Sequence, residues 1–200
     1  MLALDLGGLL LILLPLIMGW QAFFGLPSAD VFGKFPARLL LPAIVLAAPL
    51  AEEIIFRGWQ TGRPRALWLA FSSVLGIAAI VGAQQARSDL GVVIALFVAL
   101  LIIAGGWIIL RKVRAVPAWF EAAFPVTFYL VAGGFALVHL SNYPALSLLA
   151  VPMVLPQFWG GLTLGFIRLR FGLPASILAH ACSNAAAVGL GFVLEGLGLI

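Results

Sequence analysis

Six polar residues carry most of the chemistry that this sequence offers, and they fall in three short segments. The first segment is AEEIIFRG, where Glu52, Glu53 and Arg57 follow an apolar run. On a helix Glu53 and Arg57 lie four positions apart with the acid first, which is the favourable order for an ion pair. Glu52 points about 100° away and has no such partner. A carboxylate fixed by an ion pair next to one without a partner on its helix is suited to acid–base catalysis. The alternative interpretation is that the two glutamates are charges at the level of the lipid headgroups, where the helix ends.

The other two segments contain both histidines of the chain. In FALVH, Phe135 and His139 are four positions apart, so the phenyl ring can pack on the imidazole. The alternative is that His139 is an interfacial residue near a helix end without a catalytic role. In HACSN, His180 and Asn184 share one helix face. Such a pair can donate to a developing oxyanion, supply metal ligands, or form hydrogen bonds between helices. Cys182 faces another direction and is interpreted as a small packing residue.

The composition determines which elements must position these residues. Apolar residues make up 64% of the 200 positions and charged residues only 9%, against about 45–50% and 25% in soluble domains. This shortage of charge excludes a soluble enzyme, a disordered chain and a nucleic-acid-binding module. The net charge of +4 comes from scattered basic residues, so we expect a lipid bilayer and no nucleic acid as partner. One cysteine excludes an intramolecular disulfide.

We therefore expect an all-α, polytopic transmembrane bundle of about seven spans, with the site formed between helices. Each span needs about 20 apolar residues. Asp5, and the absence of Lys or Arg before the first apolar run, indicate an uncleaved first span rather than a signal peptide. Charges and Pro/Gly clusters predict spans near residues 6–26, 37–57, 66–83, 90–110 and 172–193, with two more between 121 and 168 that turn at 141–144.

Basic residues predict the orientation of these spans. Seven lie in loops after spans 2, 4 and 6, whereas only Lys34, Arg38 and Arg87 lie in the other loops. This bias predicts an integral protein of the cell (inner) membrane with a cytoplasmic N-terminus. Glu52 then lies near the inner end of span 2 and His139 near the outer end of span 5. They can meet only if span 5 begins deeper or the site lies at the base of a water-filled funnel.

Together the three segments resemble the CPBP family of intramembrane proteases, also called the CAAX protease and bacteriocin-processing or Abi family. The family pattern is EExxxR, FxxxH and HxxxN on successive membrane helices. It is matched here by Glu52, Glu53 and Arg57, by Phe135 and His139, and by His180 and Asn184. The resemblance covers residues 40–190 of a single integral membrane domain over residues 1–200. Residues 66–115 form an expected inserted helical hairpin between the first two motifs.

The resemblance implies a membrane-embedded endopeptidase in which a glutamate activates water. Glu52 would be the base, with Glu53 paired to Arg57. His139 would bind the water, and His180 with Asn184 would stabilise the tetrahedral intermediate. The substrate would be a membrane-associated peptide or protein, prenylated CAAX-type proteins among the candidates. No cofactor is required by these roles, although Glu52, His139 and His180 would be a zinc set if the enzyme were metal-dependent.

Two other classes of protein use buried Glu and His groups. A proton-coupled transporter would relay protons through them, but the sequence has no internal repeat and its polar groups form one compact set. A non-catalytic membrane scaffold would be expected to have lost one of the motif residues, and all are present. The sequence therefore favours the protease.

Overall fold

The computed structural model describes residues 2–29, 37–144 and 147–196, and it has no strand within those ranges. We number the helices α1 to α7 in chain order. α2 covers residues 37–57, in three consecutive pieces: Ala37–Pro42, Ala43–Ala47 and Ala48–Arg57. The other six are α1 (Leu2–Phe24), α3 (Pro64–Gln85), α4 (Asp89–Leu110), α5 (Ala118–Val138), α6 (Leu148–Phe171) and α7 (Leu173–Gly196).

Six of these helices, all except α2, are long and apolar enough to cross a membrane. α2 is a further helix that carries the EExxxR segment. Their bounds follow the predicted spans closely, so the all-α polytopic bundle is confirmed. The loop of residues 30–36, which includes Lys34, lies outside the described residues. The interpretation of residues 66–115 as an insertion stays a prediction.

Prolines explain the two irregular turns in α1 and α2. Residues Leu9–Leu13 and Ala43–Ala47 are π-helical, with Leu14 N–H donating to the Leu9 carbonyl and Ala48 N–H to the Ala43 carbonyl. In each case the next residue is a proline, Pro15 or Pro49. A proline ring clashes with the preceding turn and has no N–H to donate. A widened π-turn relieves that clash while the helix continues.

The chain forms two compact units. One consists of Met1–Arg57 with Pro125–Ile200, and the other of Gly58–Phe124. The second unit is built on a helical hairpin, α3 and α4. In this hairpin Ser88 caps the start of α4 by accepting a hydrogen bond from Gly91 N–H at 3.0 Å. All the predicted site residues belong to the first unit.

Candidate active site

The centre of the site is an ion pair within α2. Glu53 and Arg57 are both fully buried, and one Arg57 amino group donates to Glu53 Oε1. The second amino group lies 3.5 Å from the Gly161 carbonyl of α6. Arg168 Nε donates to the Arg57 carbonyl at 3.0 Å. The pair predicted from the spacing therefore exists, and it also joins α2 to α6.

Two side chains of α7 complete the environment of Glu53. Ser176 donates to Glu53 Oε2, and His180 Nδ1 donates to Glu53 Oε1 at 2.9 Å. Ser176 and His180 are four positions apart, so they share one face of α7. Both oxygens of Glu53 thus accept hydrogen bonds, so the carboxylate is fixed in position and orients the imidazole.

Glu52 stands in a different environment from its neighbour. Its side chain is 27% exposed, and Oε2 is buried without a hydrogen-bond partner in the described part of the chain. That oxygen lies 3.7 Å from His180 Nε2. The distance is too long for a direct hydrogen bond and is short enough for one water to contact both atoms. Glu52 is therefore the carboxylate of the adjacent pair that has an oxygen not occupied by a hydrogen-bond donor of the described residues.

Phe135 connects His139 to this cluster. The buried phenyl ring lies edge-on to the imidazoles of His139 and His180, with ring centres 4.8 and 5.8 Å away. The Arg57 guanidinium lies 4.7 Å from the same ring centre. His139 Nδ1 is 2.7 Å from the Phe135 carbonyl, so Nδ1 carries the proton there and Nε2 is the nitrogen left to bind a ligand.

These contacts place the last turn of α5 beside the last turn of α2. Phe135 also packs edge-on against Phe56, with ring centres 5.2 Å apart. Counting spans along the sequence does not determine the depth of His139 relative to Glu52. In the structure the end of α5 lies at the level of Arg57.

Asn184 is positioned by the irregular turn of α2. In the π-helical register the donor for the Ile44 carbonyl would be residue 49, which is a proline without an N–H. Asn184 Nδ2 supplies the missing donor at 2.9 Å. An amide nitrogen has two N–H groups, so this hydrogen bond occupies one and leaves the other for a second acceptor.

A buried carboxylate that the sequence analysis did not assign to the site lies nearby. Asp5 of α1 is 2% exposed, Thr163 of α6 donates to its Oδ1 at 2.5 Å, and Ser183 of α7 donates to its Oδ2 at 2.7 Å. Ser183 directly precedes Asn184. The signal that could have found Asp5 is an ionisable residue within an apolar span. For Ser176 it was the spacing of four from His180.

One contact cluster is thus formed by Glu52, Glu53, Arg57 and His180. His139 contacts this cluster through Phe135, and Asn184 is connected to it through the backbone of α2. In the described residues, no group of three or more His, Cys, Asp or Glu side chains is arranged to hold a metal ion. The proposed zinc set of Glu52, His139 and His180 is not brought together as ligands of one ion in this conformation.

This arrangement can be compared with known protein families. The family model described as type II CAAX prenyl endopeptidase Rce1-like matches residues 34–186. The chain belongs to this family. No curated protein and no solved structure matches the chain significantly.

Membership of the Rce1-like family agrees with the resemblance to CPBP proteases and makes the chain a membrane protease. Its substrates are accordingly membrane-associated. The matched range contains all six predicted site residues and excludes α1. Asp5 therefore belongs to a helix outside the family match, although it accepts hydrogen bonds from α6 and α7, which lie inside the match.

Proposed function

We propose that this Rce1-like protein cleaves the peptide bond of membrane-associated, prenylated CAAX-type substrates with a water molecule activated by Glu52. The observation that carries this proposal is the contrast between the two adjacent carboxylates. Glu53 accepts hydrogen bonds from Arg57, Ser176 and His180, whereas Glu52 Oε2 is buried without a hydrogen-bond partner among the described residues and lies 3.7 Å from His180 Nε2. A carboxylate that does not already accept hydrogen bonds from fixed donors is the better proton acceptor.

Water would bind against Glu52, where His139 Nε2 and His180 Nε2 are the available ring nitrogens. Glu52 takes one proton from the water as its oxygen attacks the scissile carbonyl carbon. The tetrahedral intermediate then collapses by breaking the C–N bond, and Glu52 returns the proton to the leaving amine. Proton and bond balance are satisfied by Glu52 alone.

The oxyanion of the intermediate would be stabilised by His180 and Asn184. When His180 carries both ring protons, Nδ1–H donates to Glu53 and Nε2–H is free for the oxyanion. Asn184 has one N–H bonded to the Ile44 carbonyl, which fixes the direction of the second. Preorganised donors of this kind act without reorganisation during the reaction.

Metal dependence is a separate proposal, and we favour an enzyme without an obligatory metal. Every step above uses a side chain of the cluster. Elemental analysis of the purified protein tests this proposal, together with activity before and after chelation. Stoichiometric zinc that is lost in His180→Ala, with activity abolished by chelation and restored by zinc, would overturn it.

We also propose that the N-terminus faces the cytoplasm, on the basis of the charge bias of the loops. Reporter fusions after Gly62 and after Val113 should then report the cytoplasmic side, and a fusion at the C-terminus the opposite side. A cytoplasmic C-terminus would mean an even number of spans.

The activity itself is tested with the full chain reconstituted in vesicles and a farnesylated CAAX peptide. The same peptide without the prenyl group and a bacteriocin leader peptide serve as comparisons. Glu52→Gln should lower turnover by about 10⁴, the upper end of general-base effects, while the protein still folds. The matched control is Glu121→Gln, an exposed residue in the first turn of α5, which should leave turnover unchanged. Near-normal turnover of Glu52→Gln would refute the assignment of the base, and equal cleavage of the unprenylated peptide would refute the substrate class.

A further inference from the structure

The second unit, residues 58–124, contains a cavity that the proposed peptidase mechanism does not use. Its volume is about 680 Å³, within the range of about 300–1,000 Å³ that is usual for ligand pockets. It is open to the surroundings, and its lining residues are apolar and include three tryptophans, Trp59, Trp68 and Trp119. A cavity of this size and chemistry fits a hydrocarbon chain.

The tryptophans that form its walls are held in place. Trp68 donates its indole N–H to the Ile102 carbonyl at 3.1 Å. Gly106 lies against the same ring, so closely that a Cβ at that position would be 1.8 Å from Trp68 Nε1. Trp59 and Trp119 both pack edge-on to Phe120, with ring centres 6.2 and 5.7 Å away. The positions of these rings are therefore set by packing among the two helices of the hairpin and the segments before and after it.

Positive charge is concentrated at this cavity. Pro64, Leu110 and Pro117 line it, and five basic residues are their neighbours in the chain. Two of these flank Pro64, two follow Leu110 directly, and one lies three positions before Pro117: Arg63, Arg65, Arg111, Lys112 and Arg114. They account for five of the eleven Lys and Arg residues of the protein.

The helix contacts show that these residues lie at one end of the hairpin. The Arg65 guanidinium stacks over the Trp107 ring at 5.1 Å, which places the start of α3 beside the end of α4. All five basic residues except Arg65 are exposed. Asp89 and Arg87 lie at the opposite end of the hairpin, and Glu121 is the other acidic residue of this unit. The apolar cavity thus adjoins a surface with an excess of positive charge.

We propose that this cavity binds an anionic phospholipid, with an acyl chain between the tryptophans and the phosphate on the basic residues. Arginine recognises phosphate oxygens through several N–H groups, and basic pockets between membrane helices are typical sites for anionic headgroups. A neutral lipid would fill the cavity and leave the charge unmatched. The orientation of the helices in the membrane would by itself explain the basic residues in the loops. It would not explain an apolar cavity next to them.

Native mass spectrometry of the full chain tests this proposal. The protein is released from nanodiscs that contain equal amounts of phosphatidylglycerol and phosphatidylcholine, and the bound lipids are counted. We expect phosphatidylglycerol to be retained in preference. Arg114→Gln should weaken this retention about fivefold, because one basic residue near an anionic headgroup typically raises the binding constant by about that factor. The matched control Arg87→Gln removes one positive charge at the other end of the hairpin and should have no effect.

Two further outcomes decide the location of the lipid. Ala70→Phe, which fills the cavity from α3 without changing any charge, should abolish retention. Phosphatidylglycerol with brominated acyl chains should quench tryptophan fluorescence more in the wild type than in Ala70→Phe, and this optical measurement requires no gas-phase release. Equal retention of the two lipids, equal effects of Arg114→Gln and Arg87→Gln, or a second copy of the chain in place of a lipid would each overturn the proposal.

Discussion

The buried ion pair makes Arg57→Met the most informative test of how the site is held together. The substitution keeps an unbranched apolar stem and removes the guanidinium from a fully buried position. Removing one partner of a buried pair usually costs about 3–5 kcal/mol. Here Ser176 and His180 still donate to Glu53, so the remaining carboxylate keeps two of its three donors. We therefore expect a loss near the lower limit, about 3 kcal/mol of unfolding free energy.

The double variant Glu53→Gln with Arg57→Met separates charge from packing. It removes both charges, so it should be less destabilised than the sum of the two single variants, with a coupling of about 1–3 kcal/mol. Arg170→Met is the control, because Arg170 is exposed and should change stability by less than about 0.5 kcal/mol. Unfolding free energies are measured by denaturant titration in detergent micelles. A loss below 1 kcal/mol in Arg57→Met, or strictly additive single effects, would refute the idea that the pair holds the site.

Three further predictions concern other parts of the molecule. Pro49→Ala restores a backbone N–H to α2, so Asn184→Ala should cost about 1 kcal/mol less stability in that background than in the wild type; equal costs would contradict the missing-donor explanation. Asp5→Asn replaces a carboxyl group that accepts hydrogen bonds from two hydroxyl groups with an amide that has one acceptor oxygen. Thermal unfolding should show a loss of about 1–2 kcal/mol, whereas an unchanged midpoint would mean that α1 is not anchored there. Burial raises the pKa of Tyr143 above its usual 10.0, so its contribution to stability is present below pH 10 and is lost as the pH rises further. Tyr143→Phe should flatten that decline, and an identical alkaline profile would exclude Tyr143 as its source.

Local features of the sequence were sufficient to predict the helices and two contacts of the site, the Glu53–Arg57 pair and the packing of Phe135 on His139. The shortage of charged residues implies a lipid environment, in which spanning segments must satisfy their own backbone groups and so become helices. Charges and Pro/Gly clusters then mark where the helices end. The Glu53–Arg57 pair was predictable because both residues lie on one helix, where spacing alone determines proximity.

The remaining contacts of the cluster required the tertiary structure. Ser176 and His180 reach Glu53, and Asn184 reaches Ile44, across 123 to 140 positions of the chain. Such contacts depend on the rotation and depth of each helix. In a soluble helix the apolar face reveals the rotation, but helices in lipid are apolar on the faces toward lipid and toward protein alike. The sequence therefore indicated which residues are reactive, and only the packing of the helices determined that Glu53 accepts from three donors while Glu52 Oε2 has no hydrogen-bond partner among the described residues.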